Sequence, residues 1–347
     1  MANKPELIID QKKLSRNIDK MLAKAKGSQV LFRPHFKSHQ SLAIGKIFRR
    51  KGIDKITVSS VSMAEYFAGD AWNDITIAFP VNLLEIEKIN KLAARIQLNL
   101  LVDSIYSASF LAKRMQSNVG VFIKIDTGYH RSGLLPEDPE IDKIVTALSN
   151  SEKLTYKGFL THAGHTYSAR GKENILEIME DSKQKLSKLR AKYIDRFPGI
   201  ITSYGDTPSC SMADNCSGFD EIRPGNFVFY DVMQYHIGSC KLDDIAVAVA
   251  CPVVSVYRDR NEIIIYGGGI HLSKEFIEAD NNFKLFGYVV ELTENIWGTP
   301  IPGAYVSSLS QEHGIVKIPE KFINKFKPGD VLGILPVHSC LTANLLQ

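Results

Sequence analysis

Eight short runs of β-branched and aliphatic residues, each trailed by a segment of helical periodicity, constrain the fold of this chain more than any other feature. They fall at Gln29–Arg33, Lys55–Ser59, Asp74–Phe79, Gln97–Val102, Gly120–Ile125, Tyr156–Thr161, Ile200–Tyr204 and, more weakly, Glu221–Arg223. The helical segments have readable ends. Leu14, Ile18, Met21, Leu22 and Ala25 recur at helical spacing behind Asp10, a candidate cap. Leu42–Phe48 repeats the pattern, with Gly52 where a C-cap belongs. Ser62 and Glu65 have capping-box spacing and Gly69 closes that helix; Asp103 is placed to cap the next, and Ile175–Leu189 marks a long one. Such alternation over about 210 residues meets the requirement of a (β/α)8 TIM-type barrel. An open doubly wound sheet usually has fewer strands and often a glycine-rich first turn, and neither is found here.

Beyond about Asp231 the pattern changes. Ile245–Tyr257, Glu262–Tyr266, Tyr288–Leu292, Ala304–Leu309, Gly314–Ile318 and Val331–Pro336 read as strands between Gly, Pro and Asn turns, with no strong helix among them. The expected organisation is α/β: a barrel over residues 11–232 and a second, all-β C-terminal domain over 233–347. The short N-terminal strand Leu7–Asp10, within 1–10, is expected to join the second domain.

Composition narrows function. The formal net charge is +4 over 347 residues, with Lys and Arg spread along the chain, which leaves no footprint for nucleic acid or an anionic membrane. The runs Arg49–Lys51 and Lys183–Lys192 read as solvated helix faces. No window has the length and apolarity of a membrane span or signal segment. Five irregularly spaced cysteines fit a reducing compartment, so a cytoplasmic location is expected.

Chemistry in such barrels sits at the C-terminal ends of the strands, and the polar residues fall there. Strand one is followed by His35, Lys37 and His39, and strand five by Asp126 and Arg131. Strand six is followed by His162, His165 and Tyr167, strand seven by Gly205-Asp206-Thr207-Pro208, and strand eight by Arg223-Pro-Gly225-Asn226. Thr207, Gly225 and Asn226 offer a hydroxyl and unencumbered N–H groups to a phosphate, although such turns are commonly just tight turns. Lys37 is expected in an extended segment, with His35 and His39 on the same side. Neighbouring cations and partial desolvation would lower the pKa of its amine, as a Schiff-base lysine requires; a surface lysine is the plain alternative.

In the β-domain, His338 and Cys340 are two residues apart. On a strand they would face one way and bind a single metal ion, zinc ahead of magnesium or calcium, with coordination positions left open. An isolated pair of this kind is more commonly packed core. Gly267-Gly268-Gly269 reads as a turn, and Cys210, Cys216, Cys240 and Cys251 lack metal spacing. Glu312-His313-Gly314 is either a metal or proton site or a turn-stabilising pair.

Several ordered motifs together resemble the D-threonine aldolase and D-serine dehydratase family along the whole chain. Arg33-Pro-His-Phe-Lys37-Ser-His39 is similar to that family's pyridoxal-phosphate lysine motif. Asp126-Thr-Gly-Tyr-His-Arg131-Ser-Gly resembles its barrel segment whose arginine faces the pyridine nitrogen. Thr161-His-Ala-Gly-His-Thr-Tyr167 and Gly205-Asp-Thr207-Pro resemble its cofactor-binding segments, and Glu221-Ile-Arg-Pro-Gly225-Asn226-Phe-Val-Phe-Tyr-Asp231 its last barrel strand and loop. Gln311-Glu-His-Gly and Pro336-Val-His338-Ser-Cys340 are similar to its metal-site region. Gln40 stands where the family motif commonly has lysine, and Tyr129-His130 is unusual before Arg131.

The resemblance implies a fold-type III architecture, an alanine-racemase-like barrel with a β-domain, usually dimeric. It implies pyridoxal 5'-phosphate held as a Schiff base on Lys37, with Arg131 near the ring nitrogen. His162, Tyr167, Thr207, Gly225 and Asn226 follow as cofactor contacts. His338 and Cys340 follow as ligands of a divalent metal, zinc first and manganese second. H-x-D accompanies many bacterial aldolases and H-x-C the zinc-dependent dehydratases, so Cys340 leans towards the dehydratases. The implied reaction is β-elimination from a small D-amino acid with a β-hydroxyl, to a 2-oxo acid and ammonia. Lys37 would take the α-proton, with His35 and His39 beside it as the expected catalytic group. Retro-aldol cleavage to glycine and an aldehyde is the alternative. A racemase needs a second base that is not identifiable, and a non-catalytic cofactor carrier needs neither β-domain nor metal pair.

Overall fold

The structure, a computed structural model, describes residues 2–279, 283–293 and 296–346. Chain contacts divide it into two compact units, 19–225 and 1–18 with 226–347; the first division falls inside the helix Gln11–Gly27. Among the described residues no helix is long and apolar enough to cross a membrane.

After a first strand, β1 (Glu6–Ile9), the barrel unit carries β2 (Leu31–Phe32), β3 (Lys55–Val58), β4 (Asp74–Pro80), β5 (Gln97–Val102), β6 (Val119–Ile125), β7 (Leu154–Thr161), β8 (Ile201–Tyr204) and β9 (Glu221–Ile222). Each is parallel to its neighbours, in the order β3-β4-β5-β6-β7-β8-β9-β2. The ring closes where Thr57 of β3 bridges His35 just beyond β2, its N–H donating to the Pro34 carbonyl at 2.9 Å. The expected barrel is therefore present. Strands covered on their outer face by helices and on their inner face by one another must be apolar throughout, and all seven residues of β6 are buried.

The helices start on side-chain caps: Ser41 accepts from the Ile44 N–H, Ser60 from Met63 and Ser104 from Ser107. Two of these differ from expectation, Ser60 replacing Ser62 and Ser104 replacing Asp103. A cap must be the last extended residue, and Ser60 and Ser104 hold that place with φ of −154°. Where β7 shifts register against β6, Gly158 has φ of +114°, and a Cβ there would stand 2.1 Å from the Ile201 carbonyl oxygen.

A buried polar ladder links the strands. Arg33 donates to Glu221 and to Asp74, each at 2.6 Å, and Lys55 donates to Asp74 at 2.9 Å. Ser203 donates to Glu221 at 2.6 Å, while Arg223 donates to Ser203 at 2.6 Å and to the Thr161 carbonyl. Each buried charge thus has a partner, as its desolvation demands.

The second unit adds β10 (Val247–Tyr257), β11 (Glu262–Tyr266), β12 (Ile277–Ala279), β13 (Phe283–Leu285), β14 (Gly287–Thr293), β15 (Ile296–Trp297), β16 (Tyr305–Leu309), β17 (His313–Lys317) and β18 (Val331–Pro336). Antiparallel neighbours run β10-β11-β17-β16-β14-β18 and back to β10, closing a small barrel around Val249, Val253, Ile263, Ile265, Val289 and Val316. β1 lies along β10, from Glu6 opposite Ala250 to Ile9 opposite Val247. The unit is not free of helix: Gly269–Leu272, Glu320–Ile323 and Ser339–Leu345 are helical.

Candidate active site

The barrel's first strand runs into a tight turn. His35 is extended, Phe36–Ser38 forms a 3-10 helix, and the N–H of Lys37 donates back to His35 Nδ1 at 3.3 Å. This corrects the expectation of one extended segment with three side chains on one side. The turn exposes Lys37 and sends His39 inward. The His39 ring packs 4.4 Å from Phe36, stacks on Phe48 at 5.7 Å and meets Phe67 edge-on at 6.0 Å. Its Nδ1 accepts from the Ser41 N–H at 3.0 Å, and burial lowers its pKa to about 3. His39 is thereby held neutral within an aromatic core cluster. The Lys37 side chain itself is exposed.

Lys37 acts electrostatically on His35 and His162. Both imidazoles are held well below their ordinary range by burial and then by the Lys37 charge, with Arg223 adding to it for His35 and Lys124 and Arg131 for His162. His162 donates Nδ1–H to the Gly205 carbonyl at 2.6 Å, so its Nε2 is an acceptor. Tyr167, at the end of the turn Gly164–Tyr167, is half-buried with its ring 6.4 Å from His162.

Arg131 is exposed, its guanidinium 5.0 Å from the centre of the Tyr129 ring. Tyr129 lies against Gly164, where a Cβ would come within 2.3 Å of the ring, and it also flanks His162 and His165. Asp126 organises this loop by accepting from the N–H groups of Gly128, Tyr129 and His130. Burial would raise the Asp126 carboxyl, but those N–H bonds hold it below the usual carboxylate range.

Thr207 is buried, and among the described residues its hydroxyl has no partner. Gly225 packs against the Lys37 turn: a Cβ would stand 3.0 Å from the His35 Cβ and the Ser38 hydroxyl, and the His35 N–H donates to the Pro224 carbonyl at 2.9 Å. Any larger residue would push the two turns apart. Lys124, on β6, lies within electrostatic reach of His162, Arg131 and Arg223, and sequence reasoning passed over it. Burial, then the Arg223 and Arg131 charges, lower its pKa to about 7; the available signal was a lysine in an otherwise apolar strand.

In the second unit His338 caps the helix Ser339–Leu345 and Cys340 lies in its first turn, so the pair does not sit on a strand. The strand ends because Asp231 captures the Ser339 N–H at 3.0 Å and the Thr342 N–H returns to the His338 carbonyl at 3.2 Å. His338 Nδ1 is 3.4 Å from the Glu275 carboxylate, and Cys340 Sγ accepts from Asn226 Nδ2 at 3.5 Å. Burial opposes charge on His338, yet Cys340 and Glu275 together raise its pKa to about 10. Nitrogen and sulfur donors at the start of one helix, with a carboxylate behind the imidazole, suit a zinc-type ion. Among the described residues no cluster of three or more His, Cys, Asp or Glu is arranged as a metal cage.

Residues 9–232 match the family described as "Alanine racemase, N-terminal domain", and residues 246–347 that described as "Putative serine dehydratase domain". The chain is 32% identical to D-serine dehydratase of Dictyostelium discoideum, across 99% of this chain and 92% of that protein. The chain belongs to the D-serine dehydratase family. D-threo-3-hydroxyaspartate dehydratase of Delftia sp. (strain HT23) is 29% identical across 97% of this chain and 91% of that protein. Its solved structure has a TM-score of 0.89 at 28% identity, covering 99% of this chain and 93% of that one. Two further structures of D-threo-3-hydroxyaspartate dehydratase carry alanine at a histidine and at a cysteine two positions apart, the cysteine variant in a metal-free form. D-threonine aldolase from Filomicrobium marinum, at 23% identity and a TM-score of 0.80 over 99% of this chain and 91% of that one, shares the fold. The D-serine dehydratase family thus carries the alanine-racemase-like architecture that the motifs implied.

Proposed function

We propose that the chain is a pyridoxal-phosphate- and metal-dependent lyase that eliminates water from a D-amino acid with a β-hydroxyl, D-serine being the reference substrate. The observation that carries this reading is the combination of two donor sets in one chain: the Lys37 turn with its neutral histidines, and the His338–Cys340 pair.

The barrel residues fit the cofactor. Thr207 presents a buried hydroxyl without a partner among the described residues, Gly225 keeps a turn bare, and Lys37, Lys124, Arg131 and Arg223 supply positive charge for a phosphate-bearing ligand. When bound, pyridoxal phosphate supplies an electron sink and a divalent metal supplies a Lewis acid for the β-oxygen. Lys37 anchors the cofactor and its amine accepts the α-proton. Arg131, steadied over Tyr129, addresses the ring nitrogen. His162, locked as the Nδ1–H tautomer, lines the site without adding charge, with Tyr167 beside it. His338 and Cys340 hold the metal, zinc ahead of manganese.

The spacing of the substituted histidine and cysteine in the metal-free dehydratase relative is that of His338 and Cys340, which favours elimination over retro-aldol cleavage. The aldolase reading draws on His162, whose Nε2 is a ready acceptor for a β-hydroxyl proton. We further infer a cytoplasmic homodimer. The five free thiols support the compartment, and exposed Phe79 near the end of β4, Leu84 just after it and Tyr106 beyond β5 offer apolar surface to a second copy.

Purified protein loaded with pyridoxal phosphate and zinc, given D-serine and D-threonine separately, tests the assignment. Chelator-sensitive pyruvate or 2-oxobutyrate with ammonia supports it. Glycine with acetaldehyde from D-threonine makes the chain an aldolase, and a bound cofactor with neither product refutes the substrate class.

A further inference from the structure

Asn226 is buried, and its side-chain amide is engaged on one side only. Nδ2 donates to Asp231 Oδ2 at 2.6 Å and also lies 3.2 Å from Ser339 Oγ and 3.5 Å from Cys340 Sγ. Oδ1 has no partner among the described residues. The orientation is set by chemistry, because the flipped amide would turn an oxygen lone pair on the Asp231 carboxylate. Asp231 Oδ2 in turn accepts from the Ser339 N–H at 3.0 Å and hydroxyl at 3.2 Å, while its Oδ1 accepts from the Gln234 N–H at 2.9 Å. One buried carboxylate therefore ties Asn226 to the first turn of the Ser339–Leu345 helix, and the Asn226 amide reaches from that tie to the sulfur.

We propose that Asn226 is the positioning residue of the metal centre: its amide holds the Cys340 sulfur by an N–H···S bond, and its free carbonyl oxygen faces a donor brought in with the metal. This assignment rests on the reading of His338 and Cys340 as metal ligands. A buried oxygen acceptor left without a donor calls for one from outside the chain, and a water or substrate hydroxyl carried by the ion is such a donor. A thiolate already fixed by an N–H loses little rotamer freedom on binding and gives less charge to the metal. Glu275, 3.4 Å from His338 Nδ1, has the matching part for the imidazole and leaves Nε2 for the ion.

Cobalt(II) titration of the full-length protein tests this, read by the sulfur-to-cobalt charge-transfer band in the near ultraviolet and by competition with a chelator. In Asn226→Leu the band moves to longer wavelength and the cobalt dissociation constant rises on the order of 10-fold. A folded variant, judged by circular dichroism, with the wild-type band and affinity overturns the proposal. If Asn226→Leu does not fold, Asn226→Ala, which removes the amide without added bulk, carries the same two expectations. Absence of any thiolate band in the wild-type protein defeats the metal reading itself, whereas a wild-type band unchanged in the variant defeats only the role of Asn226.

Discussion

His162 donates its Nδ1–H to the Gly205 carbonyl at 2.6 Å, which commits the other ring nitrogen to accepting. Burial and the charges of Lys37, Lys124 and Arg131 keep the ring neutral well below its ordinary range. His162→Phe keeps the ring's bulk and removes the acceptor. Turnover of D-serine should fall by about 100-fold or more, the scale of a lost proton-handling or orienting group. The wild-type pH profile of kcat/KM should carry no step near neutrality from this residue; a step present in wild type and missing in the variant would contradict the locked tautomer.

Lys37→Ala should lose the visible absorbance of bound cofactor and lower turnover by on the order of 10²- to 10⁴-fold. Retention of the band in the variant would move the anchoring role elsewhere, with buried Lys124 the first place to look.

Prolonged dialysis against a chelator should abolish turnover while leaving the cofactor absorbance in place, and added zinc should restore it. His338→Ala and Cys340→Ala should behave like the dialysed protein and resist restoration. Undiminished turnover after metal analysis shows the protein to be empty would remove the metal from the reaction.

His39 makes stability depend on pH. Its folded pKa of about 3 lies below the unfolded value of about 6.5, so between the two the unfolded chain holds a proton that the folded one does not. Stability from this group is intact above the unfolded value and is lost as pH falls towards about 3, by roughly 1.4 kcal/mol per pH unit. In His39→Phe the drop in melting temperature between about pH 6 and about pH 4 should be shallower than in wild type. Parallel pH curves for the two proteins would show that His39 charges in the fold or leaves its aromatic packing early.

Gly164→Ala places a methyl 2.3 Å from a carbon of the Tyr129 ring, and the ring must move, taking the support of Arg131 with it. The expected cost is about 1–3 kcal/mol of stability, as for other overpacked sites, together with weaker cofactor binding by titration. Lower stability with unchanged cofactor affinity would mean that Tyr129 does not steady Arg131.

Much of this protein is legible in its sequence because the information is local. Parallel strands buried on both faces must be apolar runs, the helices between them must be amphipathic, and the runs from Gln29–Arg33 to Glu221–Arg223 therefore place every barrel strand. The Lys37 motif and the H-x-C spacing are local too, and so were visible at once. What the tertiary structure alone decided depends on partners far away in the chain. His39 is a core residue because Phe48 and Phe67 close around it, although its spacing from Lys37 matched that of His35. His338 and Cys340 sit on a helical turn rather than a strand because Asp231, more than a hundred residues earlier, takes the Ser339 N–H. Asn226 directs its amide to Cys340, a partner that no short-range pattern could announce. Periodicity reports which face of an element is buried, but only the folded chain determines which distant side chain waits there to satisfy a buried hydrogen bond.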